Sequence, residues 1–363
     1  MTYSLAWKTK HEVFLSADTA ITTQRKIGEN LTLNRLESSF GQAHVLDETE
    51  GKKVEESIVK ILLKKNVGAT FAGNFPLAIR VLTTFYKKLE DGLTVRESLN
   101  EAIFLNSPFP KEKTIQLAIG YYDKEPRLIS FNATGAGEIR EDETLVQLGS
   151  PSPEHKKLTE EWIPIIRNEI LDNPNMQSAA MLGILQGYNL FSPQMKRGVG
   201  GAFCGLYIAK DGGKWQPDIL FIEYTKSKQG KHVTTCFRHD CLVINSPVIA
   251  QSACLMTYLP PQSEDYNMGQ TRKAIEKCER LYHKAEFQYA VVYNVDKINL
   301  TLVEMQRTNK HEFLWIESFK EADGRTGKKI TLFPELLAAI DRNEDGKLAI
   351  IPYMKSTRSP DTL

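Results

Sequence analysis

The chain is short of cysteine, of net charge and of long apolar runs, and each shortage removes a class of protein. Its 363 residues hold five cysteines, at 204, 236, 241, 254 and 278, an odd number with no paired framework. A disulfide-stapled secreted scaffold needs an even, regularly spaced set, so reduced thiols and a cytoplasmic location are expected. Lys and Arg number 46 against 45 Asp and Glu, a net charge of +1. So even a balance exerts no global pull on polyanions or acidic lipid, and neither a nucleic acid nor a membrane is expected as a partner. No apolar run approaches the roughly 20 residues of a membrane-spanning helix. Lys8, Lys10, His11 and Glu12 interrupt the N-terminal stretch where a signal peptide would carry its apolar core. Internal repeats, low-complexity tracts and a G-x-x-x-x-G-K-[ST] phosphate loop are also missing.

Metal motifs are incomplete. HVTTCFRHDC brings together His232, Cys236, His239 and Cys241, ligands that zinc accepts, but no second pair accompanies them. On a strand, positions 232, 236 and 239 would not all share a face. DRNEDGKLAIIP (341–352) imitates the first half of a calcium loop through Asp341, Asn343, Asp345 and Gly346. Pro352 stands where the bidentate Glu belongs, so a polar turn is expected. No metal or cofactor is predicted.

What is present is a globular composition, 41% apolar and 25% charged, at a length that suits one large domain or two ordinary ones. MTYSLAWKTKHEVFLSADTA alternates, turns at Thr9–Lys10–His11, and alternates again to Asp18. The core therefore begins at the second residue, where fraying is the usual expectation. Residues 19–52 are polar and lack periodicity, which predicts a long excursion. VKILLKKNVGATFAGN (59–74) reads as strand, turn, strand. FPLAIRVLTTFYKKLEDG then spaces apolar residues at 77, 81, 82, 85 and 89, a helical period. Thr94 with Glu97 signals a capping box for a second helix over 93–103. Strands at 114–122, 126–135 and 143–150 follow, then helices near 153–171 and 175–188, and a strand–turn–strand over 200–225. Beyond these, CLVINSPVI, QYAVVYNV, INLTLVEMQ and EFLWIESF read as strands, 268–286 as a helix, and 355–363 as a disordered tail. Runs of strands around helix pairs favour an α+β, layered αββα architecture over a βαβ sheet. The predicted organisation is a domain over 1–230, interrupted by an insertion at 19–52, with a C-terminal α/β extension over 231–363 that completes the fold or forms a module of its own.

Three stretches, taken in order, resemble the proteasome β-subunit and bacterial HslV family of N-terminal nucleophile hydrolases: TYSLAWKTKHEVFLSAD, VGATFAGNFPLAIRVLTTFYKKLEDG and ETLVQLGSPSPEHKKLTEEWI, with GVGGAFCGLYIAKDGG following. The resemblance covers about residues 2–225. It implies a four-layer αββα sandwich and a catalytic Thr2, exposed as the first residue once Met1 is removed. Asp18 would orient a lysine, with Lys60 favoured and Lys53 as its competitor. Ser150 would support the α-amine, and the backbone N–H at Gly73 would serve the oxyanion. It further implies a peptide or protein substrate, a homo-oligomer and an ATPase unfoldase partner. An N-terminal Thr combines a hydroxyl nucleophile with an amine of reference pKa near 8 that can act as its base. Lys196 and Val199 depart from the family pattern, which carries Asp and Ser at those places. The expected activity is a threonine-type amidohydrolase, most simply a peptidase. A non-catalytic scaffold or binding subunit, and a hydrolase of a small amide, are the other readings.

Overall fold

The computed structural model describes residues 2–24, 37–42, 45–47, 51–109, 114–133, 137–170, 173–192, 195–226, 230–246, 252–256, 276–277, 280, 286–305, 313–320, 326–344 and 346–352. Its class is α+β, with mostly antiparallel sheets. The first sheet has the order β11 (Leu145–Gly149), β1 (Tyr3–Lys8), β2 (Val13–Asp18), β12 (Phe203–Ala209), β13 (Gly212–Trp215). The second has the order β10 (Glu138–Arg140), β9 (Glu125–Asn132), β8 (Ile115–Asp123), β7 (Val67–Gly73), β6 (Ile61–Lys64). The two sheets touch. Ser4 Oγ donates to the Phe71 carbonyl at 3.1 Å, and the small Gly68 and Gly120 lie against Leu15, Ile208 and Val13. β1 and β2 are buried almost throughout, so their first residues are core rather than frayed ends.

Two helices cover the second sheet. α1 (Phe75–Glu90) starts at Asn74, whose side chain accepts from the Leu77 amide, with Pro76 in its first turn where no donor is lost. α2 (Val95–Asn106) carries the predicted Thr94–Glu97 capping box. Leu77, Leu82, Phe85 and Leu99 share a core with Phe71, Leu117, Ile119 and Phe131. α3 (Pro153–Glu169) and α4 (Pro174–Phe191) pack against each other, and α4 packs on β12.

α4 contains no charged residue and is buried on nearly every side. Its other face meets a seven-stranded sheet of order β17 (Ser252–Met256), β16 (Cys241–Asn245), β15 (His232–Arg238), β14 (Ile219–Tyr224), β18 (Tyr289–Asn294), β19 (Asn299–Glu304), β22 (Leu348–Ile351). Gly187 lets Tyr293 approach; a Cβ there would lie 2.8 Å from Tyr293 Cε1. The Tyr293 hydroxyl donates to the Gly183 carbonyl at 3.0 Å. One continuous apolar core therefore runs from Leu5 and Phe203 through Leu182 to Val291. Residue 230 falls between two adjacent strands of this sheet, β14 and β15. On its far side, a hairpin of β20 (Leu314–Lys320) and β21 (Thr326–Leu332), together with α5 (Pro334–Arg342), forms a second core with Leu220, Val292 and Val303.

The excursion at 19–52 has regular structure that periodicity did not reveal. β3 (Ala20–Gln24), β5 (Lys52–Glu56) and β4 (Val45–Asp47) form a three-stranded sheet. The strands are short and mostly polar, so no apolar alternation marks them. β21 and β22 were likewise not anticipated. Met1, residues 25–36, most of the helix anticipated at 268–286 and the tail at 355–363 lie outside the described residues.

Candidate active site

The centre of the candidate site is a buried ion pair at the end of β2. Asp18 has no exposed surface and Lys60 is 2% exposed. Lys60 reaches inward from the residue before β6, and its Nζ donates to Asp18 Oδ1 at 2.6 Å. The Tyr3 amide donates to the same oxygen at 3.2 Å, and the Gly200 amide donates to Oδ2 at 2.9 Å. The carboxylate thus takes donors from three separate segments, which is what a desolvated charge requires. Burial pushes the Asp18 carboxyl up, while Lys60 and the two amides pull it back. Burial pushes the Lys60 ammonium down against the opposing pull of Asp18. Lys60 therefore holds its proton less firmly than an exposed lysine. Lys53 is elsewhere, on β5, paired with Glu55.

Thr2 is 5% exposed and stands directly before Tyr3, whose amide binds Asp18. The Thr2 carbonyl accepts from the Ser150 amide at 3.0 Å. Ser150 thus meets Thr2 through its backbone, and its residue surface is exposed. Gly149 makes that approach feasible: its φ is +92°, and an added Cβ would sit 1.7 Å from the Thr2 oxygen and 3.5 Å from Ala72 Cβ. The Gly149 amide is held by Gln116 Oε1 at 2.7 Å. Gly73, the residue after Ala72, is exposed at the end of β7. Four of the five anticipated positions, Thr2, Asp18, Lys60 and Ser150, are joined by hydrogen bonds and chain adjacency at the ends of β1, β2 and β11, and Gly73 follows Ala72, which faces Gly149.

Sequence reasoning passed over several residues here. The Gly200–Gly201 pair reads only as part of a strand, yet the Gly200 amide reaches Asp18. Gln116 sits in the apolar strand β8 and Gln42 and Glu56 in polar stretches, with no motif to mark any of them. Lys196 is exposed and Val199 is buried in the apolar core.

Elsewhere, Cys236 and Cys241 are buried among apolar residues, and His239 lies in the turn between β15 and β16 with φ of +49°. Among the described residues no three His, Cys, Asp or Glu side chains gather as a metal site. Near the imitation calcium loop, Lys297 Nζ donates to the Asp341 carbonyl at 2.5 Å and to the Asn343 carbonyl at 3.3 Å. A cleft of about 540 Å3 includes Tyr207, Trp215 and Arg238 in its lining, with Arg238 paired to Asp218. Tyr207 is four residues further along β12 than Phe203, the partner of Asp18, so this cleft is not the Thr2 site. No helix among the described residues is long and apolar enough to cross a membrane.

Comparison with known proteins corrects the family reading. No protein-family model matches the chain, and no curated protein matches it. A matching solved structure, the "Anbu (Gly-1) mutant from Hyphomicrobium sp. strain MC1", is 11% identical, with a TM-score of 0.39 over 79% of this chain and 98% of that one. A likeness at that level assigns neither family nor activity, and the resemblance to the proteasome β-subunit and HslV family does not stand. The physical reason is that its motifs are short. A Thr and an Asp sixteen residues apart are what a buried hairpin with polar ends supplies, and FAG before a helix is a common strand break.

Proposed function

We propose that the chain is a threonine-type N-terminal nucleophile amidohydrolase with Thr2 as nucleophile. The observation that carries this reading is the buried Lys60–Asp18 pair, tied to the Tyr3 amide one residue from Thr2. A buried ion pair is weak support for stability, since apolar residues of equal volume often do as well. Perturbed titratable groups instead gather where chemistry is done. The pairwise packing supports a four-layer αββα arrangement of sheets and helix pairs around the site, with the seven-stranded sheet as a further layer outside α4.

In this mechanism, removal of Met1 frees the Thr2 α-amine. The amine accepts the Oγ proton, through a water, as Oγ attacks the substrate carbonyl carbon. The carbonyl π pair moves to oxygen, and the oxyanion is met by backbone donors near Gly73. Collapse expels the amine product, which takes the proton, and leaves a Thr2 ester. Water then attacks the ester with the α-amine again as base, releasing the acid and restoring Thr2. Lys60, held by Asp18, lowers the cost of negative charge developing on Oγ. A peptide bond is the substrate class proposed.

Lys196 and Val199 favour a second reading. Lys196 is exposed and Val199 lies in the apolar core, so neither supplies the Asp or Ser that was expected to hold the amine, which suits a binding protein without turnover. Intact-mass spectrometry with a β-lactone that acylates N-terminal Thr decides between them. Loss of Met1 and one adduct, absent in Thr2→Ala, supports the hydrolase. A retained Met1, or a free Thr2 with no adduct, favours the binding protein.

A further inference from the structure

We infer that Glu56 and Gln42 are positioning residues for Asp18, acting through the turn Gly200–Gly201–Ala202; the inference rests on the reading of Thr2 as nucleophile. Three successive amides of this turn donate to three side chains from three segments. Gly200 donates to Asp18 Oδ2 at 2.9 Å, Gly201 to Gln42 Oε1 at 2.8 Å, and Ala202 to Glu56 Oε1 at 2.8 Å. Gly201 has φ of +72°, and a Cβ there would lie 2.5 Å from Thr19 Oγ1. The turn is thus shaped around the acceptors that hold it.

Each acceptor is itself fixed. Glu56 also receives the Ser39 amide at 2.7 Å, Ser39 Oγ at 2.8 Å and Thr19 Oγ1 at 3.2 Å. Gln42 Nε2 donates to the Asn189 carbonyl of α4 at 3.0 Å. Residues 38–42 are anchored in turn on the seven-stranded sheet side. Phe40 packs edge-on against Phe221 at 5.4 Å, and Ser246 Oγ donates to the Ser39 carbonyl at 2.5 Å.

Gln42 and Glu56 therefore set where the Gly200 amide points, and that amide is the donor on the Asp18 oxygen that Lys60 does not use. If the turn relaxes, Asp18 is left with one oxygen undersatisfied in a desolvated place and swings toward another donor. Lys60 moves with it. A displacement of about 1 Å at a reacting centre can cost up to roughly 100-fold in rate, so a shift of a fraction of that is readable. Glu56 and Gln42 hold the turn's amides and reach Asp18 through that turn, so the influence argued for them is positional.

The test compares Glu56→Ala, Glu56→Gln and Gln42→Ala with the full wild-type chain, by two readouts. One is the NMR signal of the Lys60 ε-methylene, in protein labelled at that carbon and assigned by its loss in Lys60→Met. The other is the rate of β-lactone acylation of Thr2. Expected are a displaced Lys60 signal and acylation slowed about tenfold in Glu56→Ala and about threefold in Gln42→Ala. Glu56→Gln is expected between Glu56→Ala and wild type, because its amide keeps the acceptor for Ala202 and loses the one for the Ser39 amide. An unmoved Lys60 signal with rates within twofold of wild type in all variants that fold overturns the inference. If wild type is not acylated but the Lys60 signal moves in Glu56→Ala, the nucleophile reading fails and the positioning role stands. If Glu56→Ala does not fold, Glu56→Gln and Gln42→Ala decide by the same criteria.

Discussion

Tyr3 has two neighbours that the fold treats in opposite ways. On its backbone side lies Asp18, which collects the Lys60 ammonium, the Tyr3 amide and the Gly200 amide. On its ring side lies His155, equally buried, between Tyr3 and Tyr188 at 4.3 Å from each ring centroid. Neither imidazole nitrogen finds a hydrogen-bond partner among the described residues. A buried carboxylate must be partnered at each oxygen or the fold loses several kcal/mol, whereas a neutral imidazole can be carried as a flat ring at smaller cost. The contrast teaches which polar group is held for its charge and which for its shape. Asp18 stays in a network that orients it; His155 is kept neutral, its pKa pushed down to about 4 by burial.

The strongest way to break this contrast is Lys60→Met. It leaves the Asp18 carboxylate with its two amides and no cation in a site without solvent. A loss of about 3–5 kcal/mol in unfolding free energy at pH 7 is expected, read from denaturant midpoints. Adding Asp18→Asn should restore most of that loss, because the uncompensated charge is gone. A single variant that loses less than about 1 kcal/mol would mean that water already reaches the pair, and the contrast with His155 would dissolve.

His155→Phe attacks the other side. The ring stacking is kept and two unpartnered nitrogens are removed, so stability at pH 7 should be unchanged or raised by about 1 kcal/mol. The larger effect depends on pH. The native pKa, about 4, lies below the ordinary 6.5, so the unfolded chain binds the extra proton and stability is lost as the pH is lowered through that window. Wild type should lose up to about 3 kcal/mol from this one group between pH 6.5 and pH 4. The variant should not. The gap between the two, plotted against pH, should open downward from 6.5 and flatten below 4. A constant gap would show that His155 titrates in the fold as it does in the unfolded chain, so that burial does not hold it neutral.

Much of this arrangement could be read before the structure was known, and the rest hid for definable reasons. β1, β2, α1 and α2 announced themselves by period and caps: alternation up to Asp18, apolar spacing after Pro76, Thr94 with Glu97. Thr2, Asp18 and Lys60 are named together only through the family resemblance, which the comparisons do not sustain; no local pattern in the sequence joins them. The three-stranded sheet of 20–56 was invisible because strands such as KKVEE bury only one residue, Val54, and so lack alternation. Glu56 and Gln42 were invisible for a related reason. Their partners are backbone amides of a glycine turn about 150 residues away, and no local pattern encodes an acceptor for a distant amide. The double-sided burial of α4 could have been read from PNMQSAAMLGILQGYNLF, which has no charged residue, but not the identity of the second sheet that covers it.

The smallest effect tests whether the two sides of Tyr3 are independent. The Tyr3 hydroxyl donates to Gln147 Oε1 at 2.9 Å and lies 3.1 Å from Thr159 Oγ1. Thr159 Oγ1 itself reaches Gln147 Oε1 at 3.0 Å. In Tyr3→Phe those two side chains keep each other, so no acceptor is stranded, and the loss should be about 1 kcal/mol. The ring stays against His155 and the backbone amide stays on Asp18, so the change touches neither contact directly. Double-mutant cycles then sort the neighbours. Tyr3→Phe with His155→Phe should show coupling of about 0.5 kcal/mol or more, because the rings are in contact and share one packing arrangement. Tyr3→Phe with Lys60→Met should be additive within about 0.5 kcal/mol, because the side chain of Tyr3 takes no part in holding the ion pair. Coupling of equal size in both cycles would mean that the first strand shifts as a rigid unit. The charged and the neutral neighbour would then report on one packing equilibrium instead of two.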